Sequence, residues 1–335
     1  MAMKKKSSEV TDRRLAGLVT LLMENATIVV SGERIAREIG VSRSTVWRWV
    51  TRLRELGVKV KGRAATGYFL EAMADILTPE LLRRGLRGTM FGKRIYHFFR
   101  ADSTNSVALA LGHTGEEEGA VVVAEEQTAG RGRAGRTWHS ERGTGIYVTI
   151  LLRPKLAPVQ APLLTMMAGI SARSTVAAIT GLQVDLKWPN DLMIAGKKVG
   201  GILTEMHAEP TAVKFVIVGM GLNVNQEKFP AELAGAATSL RAETGRNYSR
   251  LEILVRLLRE FESDYNRLLR EGVGGVVKRF EEVSSYARGK KVRVETGTET
   301  FTGTTAGLTA EGLLRVERAA GEILTVIAGD VTELK

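Results

Sequence analysis

The sequence predicts an α/β (α+β) protein of three parts: an N-terminal winged helix-turn-helix, a central mixed α/β unit and a small C-terminal β domain. Its 335 residues exceed the length that a single hydrophobic core usually covers. Two helical patterns joined by a three-residue turn precede a basic hairpin pattern, and strand patterns then alternate with helical patterns. Residues 290–335 contain alternating apolar residues and glycine turns, which are typical of short strands.

The composition excludes several classes of protein. An apolar fraction of 44% argues against disorder, and the absence of cysteine excludes disulfides, Cys-ligated metals and cysteine nucleophiles. It also fits a reducing compartment. Residues 1–12 carry a basic run with no apolar stretch behind it, so we expect no secretory signal. The apolar segment Leu156–Ile170 is interrupted by Pro158, Gln160 and Pro162 and is too short to span a bilayer. The expected location is the cytoplasm, with no membrane contact.

Most of the net charge of +11 lies at the N-terminus. Residues 1–70 contain 14 Lys and Arg against 6 Asp and Glu, a charge of +8, whereas the other 265 residues carry 34 against 31, a charge of +3. This asymmetry predicts a polyanion-binding module joined to a nearly neutral body. A charge run alone is equally typical of a solvated basic face, so the pattern of residues has to decide.

The pattern predicts a helix-turn-helix. A first amphipathic helix is followed by a short second helix that ends at Gly40. Ser42 closes the three-residue turn Gly40–Ser42 and is a good N-cap for a third helix, Arg43 to about Leu56. The apolar residues that define the helices are Leu15, Leu18, Val19 and Leu22, then Ile35, Ala36 and Ile39, then Val46, Val50 and Leu53.

The third helix and the hairpin after it present a basic surface that predicts DNA binding. Lys59 and Lys61 alternate with Val58 and Val60, and a return strand, Tyr68 to Leu70, follows the turn Gly62–Gly67. In a winged helix, such a wing contacts phosphate while the helix enters the major groove. Trp47 and Trp49 are candidates for packing instead, and we expect this of one of them. The predicted DNA-binding residues are Arg43, Ser44, Trp47, Arg48, Thr51, Arg52, Lys59, Lys61 and Arg63.

The rest of the chain divides into a linker, a mixed α/β unit and the β domain. Residues 71–90 predict a linker helix that starts at Thr78-Pro79-Glu80, and the resulting domains are 1–70, 91–285 and 286–335. The predicted strands are Ile95–Phe99, Ala120–Glu125, Gly145–Leu152, Gln183–Lys187, Lys198–Glu205 and Val213–Val218, and the predicted helices are Val107–Leu111, Pro162–Ile179 and Arg250–Leu269.

An arginine–glycine loop, Gly130–Arg136, is the most informative segment. Its glycines formally match a dinucleotide-binding fingerprint, but Thr137–Thr144 is polar and leads into a strand, so the required helix is missing. Arginines between glycines suit a backbone that closes on a phosphate or carboxylate, and their mutual repulsion predicts poor order until an anion binds. A solvated or RNA-binding loop is the alternative. Trp138 follows directly and offers a ring for stacking.

Three further segments supply polar groups. Lys187-Trp188-Pro189-Asn190-Asp191 presents a cation, an amide and a carboxylate at a sharp turn. Gly200 and Gly201 lie in the segment Lys198–Leu203 and allow close approach of a ligand. The segment Gly219–Asn225 is expected to follow a strand, where Asn223 or Asn225 either contacts a nucleotide or serves as a turn residue.

Taken together, these segments resemble the bifunctional biotin–protein ligases that also repress biotin operons. In family order, the matching segments are Asp102–Asn105, Gln127, Gly130–Arg136 with Trp138, Lys187–Asp191, Lys198–Leu203 and Gly219–Asn223. The resemblance implies a class II synthetase-like catalytic domain, and it implies that Lys290–Lys335 forms a small SH3-like β-barrel.

The resemblance also implies an activity and partners. Biotin and ATP would give biotinyl-5′-AMP, with Mg²⁺ neutralising the triphosphate, and biotin would pass to a lysine of a biotin carboxyl carrier protein. The chain would repress biotin synthesis genes by binding operator DNA, as a homodimer when the adenylate is bound, with the adenylate as corepressor. The ligands of the metal remain unassigned.

The resemblance assigns roles to individual residues. Arg133 and Lys198 would hold the carboxylate and, with Lys187, stabilise the adenylation transition state. The expected biotin site consists of Ser103, Thr104, Asn105 and Gln127 on the ureido side, with Arg131, Gly132, Arg133, Lys198, Gly200 and Gly201. The expected ATP and adenylate site consists of Arg136, Trp138, Lys187, Asn190, Asp191 and Asn223.

Three alternatives stay open at this point. A lipoate–protein ligase or related acyl transferase would share the catalytic architecture, although the polar Ser103–Asn105 set favours a ureido ring. A transcription factor could sense biotin without transferring it, although every catalytic motif is present. A ligase whose winged helix no longer binds DNA is the third, against which the basic surface stands.

Overall fold

The computed structural model describes residues 14–25, 28–63, 66–71, 75–319 and 321–334. The N-terminal basic run, Lys4–Lys6, lies outside the described residues. The predicted helix-turn-helix and wing are present in the N-terminal part, residues 14–70, which we call the head. Its elements are helix α1 (residues 14–24), α2 (Gly32–Ile39), α3 (Arg43–Glu55), and strands β1 (Val60–Arg63) and β2 (Gly67–Leu70).

Capping residues delimit the helices of the head. The Ser31 hydroxyl accepts a hydrogen bond from the Arg34 N–H at 3.1 Å, and Ser42 accepts one from the Thr45 N–H at 3.2 Å. Gly40 ends α2 with a φ of 74°, a left-handed conformation that glycine adopts without strain. The wing differs slightly from the prediction, because β1 continues to Arg63 and its turn is therefore shorter than Gly62–Gly67.

A seven-stranded mixed sheet organises the central part of the chain. Its strand order is β3-β4-β5-β9-β8-β7-β6, with β3 and β4 parallel and every other neighbouring pair antiparallel. The strands are β3 (Arg94–Phe98), β4 (Ala120–Ala124), β5 (Gly145–Leu152), β6 (Asp185–Lys187), β7 (Asp191–Ile194), β8 (Lys197–Ala208) and β9 (Val213–Asn223). The helices are α4 (Pro79–Gly85), α5 (Thr104–His113), α6 (Pro162–Thr180), α7 (Leu240–Thr244), α8 (Arg250–Glu271) and α9 (Gly274–Val283).

The predicted strands and long helices are confirmed, but one placement was wrong. The segment from Gly219 was expected to follow a strand, whereas β9 continues to Asn223 and pairs along its length with β5 and β8. Glycine weakens a strand in isolation, but flanking strands on both sides hold these residues in the ladder. The short elements β7, α7 and α9 were not predicted.

The helices α6 and α8 cover one face of this sheet. By length and hydropathy alone, Pro158–Thr180 is long and apolar enough to cross a membrane. It extends beyond the segment that ends at Ile170, which was judged too short. In the structure most of this stretch is buried, and α6 contributes side chains such as Leu164 and Met167 to the core. A core helix of a soluble protein passes the same length test, and α6 occupies that position.

The C-terminal part forms a five-stranded antiparallel sheet, as predicted. Its order is β13-β12-β11-β10-β14, with β10 (Arg288–Glu295), β11 (Thr300–Leu308), β12 (Leu314–Glu317), β13 (Ile323–Val326) and β14 (Asp330–Glu333). Val292, Val316 and Val331 belong to the same hydrophobic cluster as the central core. The Trp188 Nε1–H donates to the Gly312 carbonyl at 2.9 Å and ties this sheet to the turn between β6 and β7.

The segment between head and sheet is packed on both. Helix α4 begins at Pro79 with the Thr78 hydroxyl as its cap, as predicted. Leu77 and Leu82 are buried in the central core, whereas Ile76 lies in the core of the head. Phe99, which follows β3, is also part of the head's core. The head is therefore in direct contact with the central part of the chain.

A buried arginine fixes this junction. The Arg250 guanidinium is 0% exposed and donates to Asp75 at 3.1 Å, to the Gly145 carbonyl at 3.1 Å and to Glu125 at 2.8 Å. Burial raises the pKa of Glu125, but Arg250 and a hydrogen bond from His97 outweigh it and hold that pKa at about 2. Because the folded value lies below the ordinary 4.5, this stabilisation is present above pH 4.5 and is lost as the pH falls towards 2.

We expect Arg250→Met to lower the free energy of unfolding by about 3–5 kcal/mol, because it leaves a buried carboxylate without its partner. Urea unfolding at pH 7 measures the effect. Arg256→Met on the same helix is the control, since its ion pair with Glu260 is exposed and such pairs contribute less than about 1 kcal/mol. Equal losses in the two variants would contradict the assigned role.

Candidate active site

A cavity of about 300 Å³ lies where the N-terminus of α5, the arginine–glycine loop, strands β8 and β9, and the β6–β7 turn converge. This volume suits a small organic ligand. The lining residues divide into a neutral polar end, a floor made by glycines and an aromatic ring, and a cationic end. Each is described in turn below.

The neutral polar end is formed by the start of α5 and by Gln127. The Thr104 N–H and hydroxyl donate to the Gln127 Oε1 at 2.8 and 3.1 Å, and the Gln127 Nε2 donates to the Ser140 hydroxyl at 2.9 Å. These bonds fix which face of the Gln127 amide points into the cavity. Within the described residues the buried Ser103 hydroxyl has no recorded hydrogen-bond partner. This end therefore offers preset hydrogen-bonding groups to a neutral polar ligand.

Asn105 is held against the sheet and connects α5 to β8. Its Nδ2 donates to the Glu205 carboxylate at 2.8 Å and to the Leu203 carbonyl at 3.2 Å, and its Oδ1 is 2.7 Å from the Thr149 hydroxyl. A Cβ on Gly219 would lie 2.0 Å from the Asn105 Oδ1, so only glycine fits there. Asn105 is thus a fixed wall of the cavity, with its polar atoms largely used inside the protein.

Trp138 and two glycines form the floor. A Cβ on Gly221 would lie 2.5 Å from the Trp138 indole, and one on Gly201 would lie 3.3 Å from the same ring. The Lys198 ammonium stands 5.5 Å from the ring centroid, within range of a cation–π contact. Close approach of a ligand was expected at Gly200 and Gly201. Gly201 lines the cavity, and the space beside it also holds Trp138 and Lys198.

Each arginine of the arginine–glycine loop has a partner within the protein. Arg131 forms an ion pair with Glu205, and Arg136 forms one with Asp330 of the C-terminal sheet. The Arg133 Nη1 donates to the Asn190 Oδ1 at 3.2 Å. These partners offset the mutual repulsion that was expected between the three cations.

The β6–β7 turn delivers the opposing acidic group. Lys187 and Asp191 are paired across the hairpin, and the Asp191 carboxylate is 2.6 Å from the Lys198 ammonium on β8. The Asn190 Nδ2 donates to the Ile202 carbonyl at 2.9 Å, so the amide is oriented with its oxygen towards Arg133. The amide and carboxylate of the predicted motif therefore face Arg133 and Lys198, whereas its cation, Lys187, is paired with Asp191 across the hairpin.

Desolvation sets the electrostatics of the cationic end. Burial lowers the pKa of Arg133, and burial together with the neighbouring Lys198 lowers the pKa of Lys187, although Asp191 raises both values. A guanidinium keeps its charge in proteins, so Arg133 is a poorly hydrated cation. Within the described residues no other hydrogen bond of its guanidinium is recorded. Such a cation binds a carboxylate or phosphate more strongly than an exposed one.

The C-terminal sheet contributes Asp330 to the rim. Its hydrogen bond with Arg136 raises the pKa of Arg136 and lowers the pKa of Asp330. Both side chains are about half exposed, so the pair adds little to global stability. It does connect the loop to a different domain. The loop can therefore respond to what happens at the C-terminal sheet.

A second loop, residues 224–238, closes the far side. The Lys198 N–H donates to the Ala236 carbonyl, and the Thr238 N–H donates back to Lys198, both at 2.9 Å. Asn223 is buried and donates to the Thr238 carbonyl at 3.0 Å. The apolar lining residues of this side are Phe229, Leu233, Ala236 and Ala237.

The structure brings most of the predicted site residues to this one cavity. The predicted residues that line it are Ser103, Thr104, Asn105, Gln127, Arg131, Gly132, Arg133, Arg136, Trp138, Asn190, Asp191, Lys198, Gly201 and Asn223. Lys187 and Gly200 do not line it: Lys187 is the cross-strand partner of Asp191, and a Cβ on Gly200 would meet the Gly221 carbonyl and Leu222. Glu205, Asp330 and the apolar loop residues were not predicted from the sequence.

The predicted DNA-binding residues form a separate exposed surface on the head. Arg43, Ser44, Arg48 and Arg52 are exposed on α3, and Thr51 is partly exposed. Trp47 is 60% exposed, whereas Trp49 packs against the head's core, which divides the two aromatics as expected. Lys59, Lys61 and Arg63 are exposed on and before β1. Lys61 pairs with Glu71 at 2.5 Å, so one wing cation is partly neutralised.

The donor set at the cavity does not resemble a dedicated metal site. Among the described residues no group of three or more His, Cys, Asp or Glu side chains comes together. Asp191 and Asp330 are the lining carboxylates, and each already faces a cation. Such donors suit Mg²⁺ only where a ligand's phosphates supply most of the coordination. Chemically, the cavity can orient a neutral polar group at one end and bring anions together at the other.

Family models match three successive parts of the chain. Residues 14–69 match an HTH domain, residues 98–223 match the biotin/lipoate A/B protein ligase family, and residues 289–332 match the biotin protein ligase C-terminal domain. The cavity residues before Asn223 fall within the second match. The three matches follow the order of the head, the mixed sheet and the C-terminal sheet.

Individual relatives extend over nearly the whole chain. The bifunctional ligase/repressor BirA of Bacillus subtilis is 36% identical over 318 residues, which are 94% of this chain and 97% of that protein. The biotin–[acetyl-CoA-carboxylase] ligase of Mycobacterium tuberculosis is 34% identical, over 78% of this chain and 98% of its own length. Among solved structures, the biotin protein ligase of Aquifex aeolicus in complex with biotin and ATP is 31% identical, with a TM-score of 0.62 over 72% of this chain and 99% of that one.

Proposed function

The chain belongs to the family of bifunctional biotin–protein ligases and repressors, and from this premise we propose that its cavity is the place where biotin and ATP react. The protein is an ATP-dependent biotin–protein ligase that also acts as a DNA-binding repressor. The observation that carries the site assignment is the convergence of neutral polar groups and desolvated cations in one cavity. The ureido ring and the carboxylate of biotin are separated in the same way.

At the neutral end, the ureido ring would bind to Ser103, Thr104 and Gln127. A ureido group presents one acceptor and two donors, and each buried group left unpaired costs about 1–3 kcal/mol. The Ser103 hydroxyl and the second Gln127 Nε2 hydrogen would bond to this group. The dithiolane ring of lipoate has no such groups, so these residues favour biotin over lipoate.

At the cationic end, Arg133 and Lys198 would hold the two reacting anions. The biotin carboxylate attacks the α-phosphorus of ATP, the acyl–phosphate bond forms and pyrophosphate leaves. Cations already aimed at this point reduce the repulsion between the anions without reorganising during the reaction. On ligand binding, Lys198 exchanges its contact with Asp191 for the ligand, and Arg133 uses the nitrogens that Asn190 does not engage.

The nucleotide would lie between the floor and the second loop. Trp138 and Asn223 would contact the adenine, and Phe229 and Leu233 would supply an apolar wall. Asn190, Asp191 and Arg136 would then face the phosphates. Lys187 would add its positive charge beside Asp191. Mg²⁺ would arrive with the triphosphate, neutralise part of its charge and use Asp191 as its protein ligand.

In the second step, the lysine amine of a biotin carboxyl carrier protein attacks the acyl carbon, and AMP leaves. Neither step needs a nucleophile from the enzyme, because the biotin carboxylate and the carrier amine are the nucleophiles. The arginine–glycine loop excludes water from the mixed anhydride until the carrier arrives. We place both reactions in the cytoplasm, where carrier, ATP and DNA meet, and we assign residues 91–285 to them.

We expect full-length protein, biotin, ATP and Mg²⁺ to label a lysine of a carrier domain. In single turnover without carrier, Lys198→Ala and Arg133→Ala should slow pyrophosphate release by about 10²–10³-fold, as the loss of one preorganised cation or donor does. Lys197→Ala is the matched control, because Lys197 is exposed, does not line the cavity and pairs with Glu243. A Lys198→Ala rate equal to the Lys197→Ala rate would exclude the assigned role, and an unlabelled carrier would exclude the function.

For repression, we propose that the adenylate is the corepressor and favours a homodimer. A winged helix on each protomer would place its α3 in successive major grooves of a palindromic operator. Operator affinity should therefore rise when biotin and ATP are added, and sedimentation should show dimers under the same conditions. Fluorescence anisotropy with labelled operator DNA measures the first effect. Equal affinities with and without the substrates would contradict the coupling.

A further inference from the structure

Two short segments connect the cavity directly to the head, and this inference rests on the function proposed above. The first, residues 99–105, begins with Phe99 in the core of the head and ends with Ser103, Thr104 and Asn105 in the cavity. The second, residues 125–128, contains Gln127 in the cavity. We call them the connecting segments.

The connecting segments are bonded to each other. The Ala101 N–H donates to the Glu126 carbonyl at 3.1 Å, the Thr128 N–H donates to the Ala101 carbonyl at 2.9 Å, and the Thr104 N–H donates to the Gln127 side chain at 2.8 Å. A ligand that fixes Thr104 and Gln127 therefore restricts both segments together. The restriction reaches the head end of the first segment within five residues.

Glu126 links the connecting segments to a residue outside the cavity. Gln127 lines the cavity, whereas the neighbouring Glu126 does not and bonds instead to Arg142. The Arg142 Nε donates to the Glu126 Oε2 at 2.8 Å, and a second nitrogen of the same guanidinium contacts the same carboxylate. Two bonds from one planar group fix the position of Arg142 relative to Glu126.

The third nitrogen of Arg142 reaches the predicted recognition helix. Its Nη1 lies 3.4 Å from the carbonyl of Glu55, the last residue of α3. Carbonyls at the C-terminal end of a helix carry partial negative charge and attract cations. Arg142 thus bridges the neighbour of a cavity residue and the end of the helix expected to enter DNA.

We propose that Arg142 is the positioning residue through which occupancy of the biotin pocket orders the DNA-binding head. Ligand binding at Gln127 fixes the segment that carries Glu126, Glu126 fixes Arg142, and Arg142 holds the C-terminal end of α3. Without ligand the connecting segments move more freely, and the head samples a wider range of orientations. The coupling acts within one protomer and is separate from the proposed dimerisation.

The chain offers a matched control for this proposal. The Arg100 Nε lies 3.3 Å from the Glu126 Oε1, so Arg100 also pairs with Glu126. Among the described residues, Arg100 has no recorded contact with α3, whereas Arg142 does. Comparing Arg142→Ala with Arg100→Ala separates loss of charge at Glu126 from loss of the contact with the head. In Arg142→Lys, one ammonium replaces the fork and engages Glu126 or Glu55 but not both.

The absence of cysteine allows spin labels at chosen positions. Arg37→Cys on α2 and Lys278→Cys on α9 introduce the only two thiols, and both positions are exposed and remote from the cavity. Double electron–electron resonance then measures the distribution of head-to-body distances in the full chain, with and without biotin and ATP. Calorimetry on the same samples measures biotin affinity.

We expect biotin and ATP to narrow the distance distribution of the labelled parent and of Arg100→Ala. The distance distribution of Arg142→Ala should stay broad with and without ligands. The distribution of Arg142→Lys should narrow only in part. The biotin Kd of Arg142→Ala should change less than about threefold, because Arg142 does not line the cavity.

The proposal would be overturned if ligands narrowed the distance distribution of Arg142→Ala as much as that of the parent. It would also be overturned if the parent bound biotin and its distance distribution did not narrow. Both results would leave the ligase function standing. A labelled parent that binds no biotin would overturn the proposed function, and this inference with it.

Discussion

The site depends on the absence of side chains at two positions of β9. Gly219 and Gly221 lie in the middle of the sheet, where a Cβ would overlap Asn105 and Trp138 respectively. Because glycine has no side chain at these positions, the start of α5 and the indole ring lie directly on the strands. The polar end, the floor and the cationic end then follow from where these two side chains are held. A strand made of larger residues would fill the same space and leave no cavity.

Each cation of the site is held by a contact that an anionic ligand can replace. Lys198 faces Asp191, Arg133 faces Asn190, and Arg131 faces Glu205. These contacts prevent mutual repulsion from opening the loop, yet each is an ion pair or single hydrogen bond that an anionic ligand can replace. The arrangement favours binding of two anions side by side, which the adenylation of a carboxylate requires.

Local features of the fold could be predicted from the sequence, whereas long-range partners could not. The caps Ser42 and Thr78 act within their own helices, so the start of α3 and the start of α4 followed from them together with apolar spacing. Gly219 was placed after a strand because glycine disfavours strands locally, and the flanking strands that override this preference are distant in sequence. The site residues were proposed from motifs. Glu205 and Asp330 were missed, because each pairs with an arginine 74 or 194 residues away.

The most direct test of this account replaces the two strand glycines. Calorimetric titration of biotin into Gly219→Ala and Gly221→Ala should show an affinity about 10–100-fold below that of the parent, because a displaced polar group that is left unpaired costs about 1–3 kcal/mol. Gly275→Ala on α9, where a Cβ meets nothing within 4 Å, should bind biotin as the parent does. Thermal unfolding verifies that all three chains are folded. Parent-like biotin affinity in folded Gly219→Ala and Gly221→Ala would contradict the account.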